Sequence, residues 1–159
     1  MKKILVLILG VVMCLCMVGC GDSGSSDGSG SDDSKPTTKK DLQTANTNAK
    51  LVFTTANNAA ADVCVEKPDE ATAIINAASF GKVVKVEDLK DSDNDIDKAV
   101  YDALKDEKGE IYMEGDEQGI TLAQWTKKDG CVGQYPDIEP DWEVEHEIGE
   151  RFEPSKSVV

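Results

Sequence analysis

The sequence predicts an α+β fold in which a long N-terminal helix and two short helices pack on a small antiparallel meander of three to four strands. Apolar residues recur every three or four positions through residues 41–65, which is the spacing of one face of a helix. After Gly109 the apolar residues alternate with polar ones, which is the pattern of strands. A helix with one narrow apolar stripe cannot bury it alone, so we expect the strands to form the layer that covers it.

The long helix carries its apolar stripe mostly on small residues, which would let another layer approach the helix axis closely. The predicted stripe consists of Leu42, Ala45, Ala49, Val52, Ala56, Ala59 or Ala60, and Val63. The opposite face, which we expect to remain in water, consists of Thr44, Asn46, Asn48, Thr54, Asn57, Asn58 and Asp62. Thr37 or Thr38 suits the N-cap of this helix, and Pro68 is expected to end it near Glu66.

Two shorter helices are predicted between the long helix and the strands. Residues 69–80 begin with two acidic residues and contain an apolar face, and Gly81 stands where a helix commonly ends on a glycine. Residues 94–106 have the same helical spacing, with a charged side that is expected to face water. Residues 83–86 are rich in valine and predict a short extended piece between the two helices.

Three strands are predicted in the second half of the chain. They cover residues 111–113, 120–126 and 131–135, and the turns between them fall at 115–119 and 127–130. Strands joined by turns this short pair as an antiparallel meander, which is large enough to cover one face of the long helix.

The acidic stretch at residues 141–148 (DWEVEHEI) alternates strictly between glutamates or aspartate and the side chains of Trp142, Val144, His146 and Ile148. This alternation favours a fourth strand at the edge of the sheet, with its glutamates facing water. The alternative is a segment that stays disordered until it adds to the sheet of a partner protein. In the strand interpretation His146, the one histidine of the chain, is an ordinary half-buried residue, and residues 153–159 are expected to fray.

The first twenty residues have the features of an export signal. Lys2 and Lys3 precede an apolar run at residues 4–18 that is too short to read as a membrane span. The run ends in Met17, Val18, Gly19 and Cys20, and small polar residues follow at once. This combination resembles the lipobox of bacterial lipoproteins, although Met17 stands where that family usually has leucine. The resemblance implies that residues 1–19 are removed and that Cys20 is diacylated.

A lipid anchor at Cys20 would place the protein on the outer face of the bacterial cytoplasmic membrane, exposed to the exterior, since two acyl chains hold a protein stably on a bilayer. Residues 20–38 are rich in glycine, serine and aspartate and are expected to form a flexible tether to a domain at 39–152. The whole chain has a net charge of −14, and loss of the two leader lysines would make it more acidic. Such a charge argues against nucleic acid as a partner and against electrostatic docking on anionic lipid.

The order of elements, together with two short motifs, resembles the globular part of type IV pilins and pseudopilins. The motifs are residues 122–125 (LAQW) and residues 132–136 (VGQYP), and the helix at 45–62 is rich in alanine, asparagine and threonine as in such proteins. The resemblance covers roughly residues 41–136 and implies the fold rather than polymerisation. Pilins expose a hydrophobic half-helix that packs in the filament core, whereas here the lipobox and the tether stand in its place.

Cys64 and Cys131 are the only cysteines beyond Cys20, and outside the cytoplasm a pair of cysteines commonly forms a disulfide. A bridge between them would pin the sheet to the long helix, and we take it as slightly favoured. The alternative is two separate thiols, with Cys64 as a small core residue. No CxxC spacing is present, so a redox-active pair is not expected.

Four aspartates alternate through residues 91–97, namely Asp91, Asp93, Asp95 and Asp97. A calcium loop of the EF-hand type needs glycine at its sixth position and glutamate at its twelfth, where this chain has Ile96 and Asp102. We therefore interpret the run as a polar turn that caps the following helix, with weak calcium binding as the secondary interpretation. No other metal site and no cofactor site is predicted.

The chain contains no recognisable arrangement of a nucleophile with a histidine and no glycine-rich phosphate loop, so it is not expected to be an enzyme. The predicted function is that of a surface-anchored accessory or structural protein, with a protein partner in a pilus-like or secretion-related envelope assembly. The alternative function is an extracellular binding module for a small ligand or a cation.

Overall fold

The computed structural model describes residues 38–128, 130–154 and 156. The chain divides between Ser34 and Lys35, and all of the described residues lie in the unit that runs from Lys35 to Val159. Within this unit the fold is α+β, with one long helix and a four-stranded antiparallel sheet, as the sequence predicts. The predicted cleavage site, the predicted lipidation site Cys20 and most of the predicted tether lie outside the described residues.

The first helix, α1, spans Lys39–Glu66, and its N-terminus is fixed by a reciprocal pair of hydrogen bonds. The Thr38 side chain accepts from the Asp41 amide at 3.3 Å, and the Asp41 carboxylate accepts from the Thr38 amide at 3.0 Å. This capping box satisfies amide groups that a helix otherwise leaves without partners at its first turn. Thr38, one of the two residues predicted as N-cap, and the predicted end near Glu66 are both confirmed.

The chain between α1 and β2 contains less α-helix than the sequence predicts. The second helix, α2, covers only Ala71–Asn76, and β1 (Val84–Lys85) is followed by a 3₁₀-helix at Val86–Asp91 that was not predicted. The third helix, α3, spans Asp95–Leu104 with Asn94 as its N-cap. The α2 helix stops early because Ser79 turns toward α3, where its amide and hydroxyl both donate to the Asp97 carboxylate.

The sheet has the strand order β1-β2-β3-β4, and every neighbouring pair is antiparallel. Strand β2 covers Glu110–Asp116, β3 covers Gly119–Thr126 and β4 covers Val132–Tyr135. All three correspond to predicted strands, with β2 longer than expected because the turn that joins it to β3 is tight. The fourth strand of the sheet is the short valine-rich piece β1, which pairs with the start of β2.

The core lies between α1, α3 and one face of the sheet, which we call the inner face. The predicted stripe of α1 is buried there, and Ile111, Met113, Ala123 and Trp125 meet it from β2 and β3. The closest approach is at Gly133, where a Cβ atom would lie 2.1 Å from the carbonyl carbon of Ala45. Alanine on the helix and glycine on β4 together let the two backbones come this close.

The asparagines of α1 do not all face water, contrary to the expectation from helical spacing. Asn46 and Asn48 are buried, and Asn57 is half-buried. The Asn57 side chain accepts from the Ile120 amide at 3.1 Å and donates to the Ile120 carbonyl at 3.3 Å. The expectation failed because the sheet wraps past the apolar stripe, where Asn46 and Asn57 pair with strand backbone that would otherwise be left unpaired. The buried amide nitrogen of Asn48 has no hydrogen-bond partner among the described residues.

Candidate functional site: the outer face of the sheet

The face of the sheet that points away from α1, here the outer face, is organised by two glutamines. Gln124 on β3 and Gln134 on β4 are directly opposite each other in the strand register. Their neighbours Ala123 and Gly133 face α1, so the alternation of strand side chains places both glutamines on the outer face. Both glutamines are 0% exposed to solvent, which is unusual for this residue type.

The two glutamines are buried because the C-terminal segment, Ile138–Pro154, lies across them. The Gln124 side chain accepts from the Gly149 amide at 2.8 Å and donates to the Glu150 carbonyl at 2.7 Å. The Gln134 side chain accepts from the Phe152 amide at 3.2 Å and donates to the Phe152 carbonyl at 2.9 Å. The outer face therefore binds the main chain of an irregular peptide segment through side-chain amides.

Almost all donor and acceptor positions of the two glutamine side chains are engaged in hydrogen bonds, which fixes how the segment lies. Gln124 also donates to Gln134 at 3.0 Å, and Gln134 also donates to the Asp137 carbonyl at 3.2 Å. Gln134 thus uses both donor hydrogens and accepts twice, which is the full capacity of a carboxamide. Since a buried amide without partners is costly, the segment and the glutamines each require the other.

Side chains of the C-terminal segment add contacts that depend on its sequence. Gly149 has a φ of +95°, and a Cβ atom there would lie 3.0 Å from the Val83 side chain. Arg151 lies 3.7 Å from Glu114 on β2 and 3.8 Å from Asp137. On the same face, the pKa of the Tyr112 hydroxyl is raised, chiefly because the group is desolvated by burial and also because it donates a hydrogen bond to Glu114.

The segment also has contacts of its own, centred on Glu139. The Glu139 carboxylate is buried, accepts from the Asp141 amide at 2.8 Å and lies 3.1 Å from the His146 ring nitrogen Nε2. The His146 ring stacks on Phe152 at 3.6 Å between centroids. One contact ties this cluster to the helix layer, since the Asn46 side chain donates to the Glu139 carbonyl at 3.1 Å.

The prediction of a fourth strand at residues 141–148 is wrong. These residues form turns and irregular chain, and the segment crosses the outer face instead of extending the edge. The edge beyond β4 is already occupied, because the main-chain amide of Gln134 donates to the side-chain oxygen of Asn46 at 3.1 Å. His146 is half-buried as expected, but through Glu139 and Phe152 and not through a strand.

The favoured disulfide is also wrong, since Cys64 and Cys131 are both free thiols. Cys131 lies near the start of α1, close enough for the Asp41 charge to act on it, whereas Cys64 is near the other end of that helix. At 1.5 Å per residue, the 23 residues between Asp41 and Cys64 span about 35 Å, and a disulfide requires Cα atoms within about 7 Å. Burial raises the pKa of the Cys131 thiol, while Cys64 is exposed.

The four aspartates of the weak calcium candidate have different surroundings. Asp97 is buried and accepts from Ser79 and Ser92, and Asp95 pairs with Lys67, whose contact lowers the pKa of that aspartate and raises the pKa of the lysine. Asp91 and Asp93 are exposed. Among the described residues, no three histidine, cysteine, aspartate or glutamate side chains come together to hold a metal ion. The run thus has the capping role of the first interpretation, with Asn94 accepting from the first amides of α3.

Gln124 and Gln134 were not predicted as site residues, although both belong to the motifs that carry the pilin resemblance. A usable signal was present, because each glutamine alternates with residues of the inner face in a largely apolar strand. In a sheet packed on one face only, these positions would face water. The alternation therefore predicts buried glutamines only if another part of the chain is known to cover the second face.

No helix among the described residues is long and apolar enough to cross a membrane. Neither a protein-family model, nor a curated protein, nor a solved structure matches the chain.

Proposed function

We propose that the chain is a bacterial lipoprotein whose domain serves as a non-catalytic accessory or structural component of an envelope assembly. The observation that carries this proposal is the succession of a basic start, a short apolar run, the lipobox that ends in Cys20, and a glycine-rich and aspartate-rich tether. That succession exports and anchors a protein. The compact unit that begins at Lys35 would then be held outside the cytoplasmic membrane.

The outer face supports a role in holding peptide chain rather than in catalysis. The polar groups at its centre are carboxamides that bind main-chain atoms, the Glu114 carboxylate beside them is engaged by Tyr112 and Arg151, and the one histidine is engaged by Glu139 and Phe152. A carboxamide neither attacks a substrate nor transfers a proton near neutral pH, so these groups are suited to binding.

We further propose that the domain is pilin-like. The support is the packing of one long helix on an antiparallel sheet whose strands β3 and β4 contain the two motifs of the resemblance. The partner class follows from this proposal as a pilus-like or secretion-related assembly at the envelope.

Anchoring is tested by feeding cells an alkyne-bearing palmitate and comparing the natural chain with the Cys20→Ser variant. Label on the natural chain alone, with the protein in the membrane fraction, is the expected result. A natural chain that is exported without label would overturn the lipoprotein proposal.

The accessory role is tested by crosslinking in cells followed by capture of the lipidated protein and mass spectrometry. We expect pilin-like or secretion-linked proteins to be enriched over a control lipoprotein of similar abundance. If the protein is recovered without such partners, the assembly proposal fails while the anchoring result stands.

A further inference from the structure

The C-terminal segment is a unit with internal contacts, joined to the body of the domain by a short connection. Inside the segment, Glu139 contacts Asp141 and His146, and His146 stacks on Phe152. Its contacts with the body go to a few fixed groups, chiefly the side chains of Asn46, Gln124 and Gln134. The segment could therefore leave its own body and keep its internal contacts.

The connection lies at Pro136 and Asp137, just after β4. Asp137 has a φ of +68° and is the one non-glycine residue with a positive φ in the described part of the chain. This left-handed conformation is unfavourable for residues with a Cβ atom, although aspartate tolerates it better than most. Asp137 thus lies where the chain passes from β4 into the segment that covers the outer face. An extended conformation at Asp137 would relieve this local strain and carry the segment away from its own sheet.

The outer face fits this segment better than it fits an unrelated peptide. The hydrogen bonds from Gln124 and Gln134 go to main-chain atoms and would accept many sequences. The glycine requirement at Gly149 and the approach of Arg151 to Glu114 restrict the choice. A second copy of this chain supplies both features at the same spacing.

We propose that two copies of this chain exchange their C-terminal segments, each segment lying on the outer face of the other copy. The segment of the second copy then takes the place of the first copy's own segment. It is bound by the same four side chains, those of Asn46, Glu114, Gln124 and Gln134. Exchange of an identical element is a low-cost route to a dimer because it replaces contacts without creating a new kind of interface. Anchoring by Cys20, which belongs to the proposed function, would favour exchange by concentrating the copies on one surface.

The test uses two variants of the mature chain, each carrying Cys20→Ser to remove the lipid and Cys64→Ser to prevent a disulfide between copies. The first variant ends at Asp137 and so offers an empty outer face. The second keeps its segment but carries Gln124→Ala and Gln134→Ala. We expect each variant alone to be monomeric at micromolar concentration and the mixture to form a one-to-one complex, measured by light scattering after size-exclusion chromatography.

A matched control adds Gln124→Ala and Gln134→Ala to the shortened chain, which removes the proposed acceptor groups and should abolish the complex. If both variants are folded by circular dichroism and the mixture stays monomeric, the proposal is overturned. A complex that survives in the control also overturns it, because the copies would then associate through another surface.

A second measurement does not depend on the shortened chain being folded. Unshortened chains with Cys20→Ser and Cys64→Ser, one portion labelled with ¹⁵N, are mixed at high concentration, incubated and crosslinked. We expect crosslinks of mixed isotope between residues 138–156 of one copy and β2 to β4 of the other. Crosslinks of a single isotope only would contradict exchange, and because no lipid is present this result is independent of anchoring at Cys20.

Discussion

The two faces of the sheet are covered by different means. The inner face is covered by α1 and α3 through apolar side chains, with backbones in close contact at Gly133 and Ala45. The outer face is covered by a segment without helix or strand, which two glutamines bind by hydrogen bonds on a face that also buries Leu122 and Val132. Apolar packing is cooperative and tolerates no added volume, whereas hydrogen bonds to one segment can open locally. The inner layer thus sets whether the domain folds, and the outer layer sets whether the segment stays in place.

Gly133→Ala should have the largest effect, because the new methyl group would overlap the backbone of α1 at Ala45. Overpacking against backbone costs about 2–3 kcal/mol of unfolding free energy. Urea denaturation followed by circular dichroism measures this loss. The control adds a hydroxyl at an exposed position of α1, Ala61→Ser, and should change stability by less than about 0.5 kcal/mol. Equal stability of both variants would show that α1 and β4 are not in close contact.

Gln134→Ala should loosen the outer layer while leaving the inner layer intact. It removes the partners of the Phe152 amide and carbonyl, so we expect the segment to open about tenfold more often, which corresponds to about 1.4 kcal/mol. Hydrogen exchange should accelerate at Gly149 and Phe152 and remain unchanged at core amides of α1. Gln118→Ala, in the exposed β2–β3 turn, serves as the control. Equal acceleration throughout the domain would mean that the two layers unfold as one.

Asn57→Ala and Asn58→Ala form a matched pair at the border of the inner layer. Asn57 pairs with both backbone groups of Ile120, and Asn58 is exposed. Loss of the Asn57 amide should cost about 1–2 kcal/mol because the Ile120 amide loses its hydrogen-bond partner. Loss of the Asn58 amide should cost less than about 0.5 kcal/mol. Thermal unfolding of the two variants side by side measures both losses. An equally small loss in both variants would show that the Asn57 side chain does not pair with the Ile120 backbone.

The smallest effect is expected from acid at the start of α1. Hydrogen bonds from Thr38 lower the pKa of Asp41 below its ordinary value. A lowered pKa in the folded state means that the stabilisation is present near neutral pH and is lost as the pH falls through that pKa. The protection factor of the Leu42 amide, which corrects for the intrinsic pH dependence of exchange, should fall on acidification, and Asp41→Asn should remove most of this fall. A carboxyl titration at the ordinary value would contradict the capping box.

The sequence was sufficient for the elements whose side chains obey a simple period. The buried stripe of α1, its N-cap at Thr38 and the three strands of the meander follow from local spacing and turn residues, and all are found as expected. Local spacing could not show that α2 would be shortened by the bonds from Ser79 to Asp97, because those residues are eighteen positions apart.

The candidate site was beyond sequence reasoning for a related reason. The alternation of residues 141–148 is real, but whether an alternating segment becomes a strand depends on an open sheet edge, and Asn46 already binds the outer backbone of β4. The separation of Cys64 from Cys131 likewise depends on which end of α1 meets the last turn of the sheet. Both errors come from long-range placement, which no local pattern encodes.

The side chain of Asn46 has a mechanical consequence. Its side-chain oxygen accepts from the main-chain amide of Gln134, and its side-chain nitrogen donates to the main-chain carbonyl of Glu139. One residue two turns into α1 therefore binds both β4 and the start of the C-terminal segment. If the chain is held at its N-terminus and the segment is pulled by another molecule, the load is resisted first by the hydrogen bonds that Asn46, Gln124 and Gln134 make with the segment. Under tension the segment should be pulled free before the inner layer is disturbed.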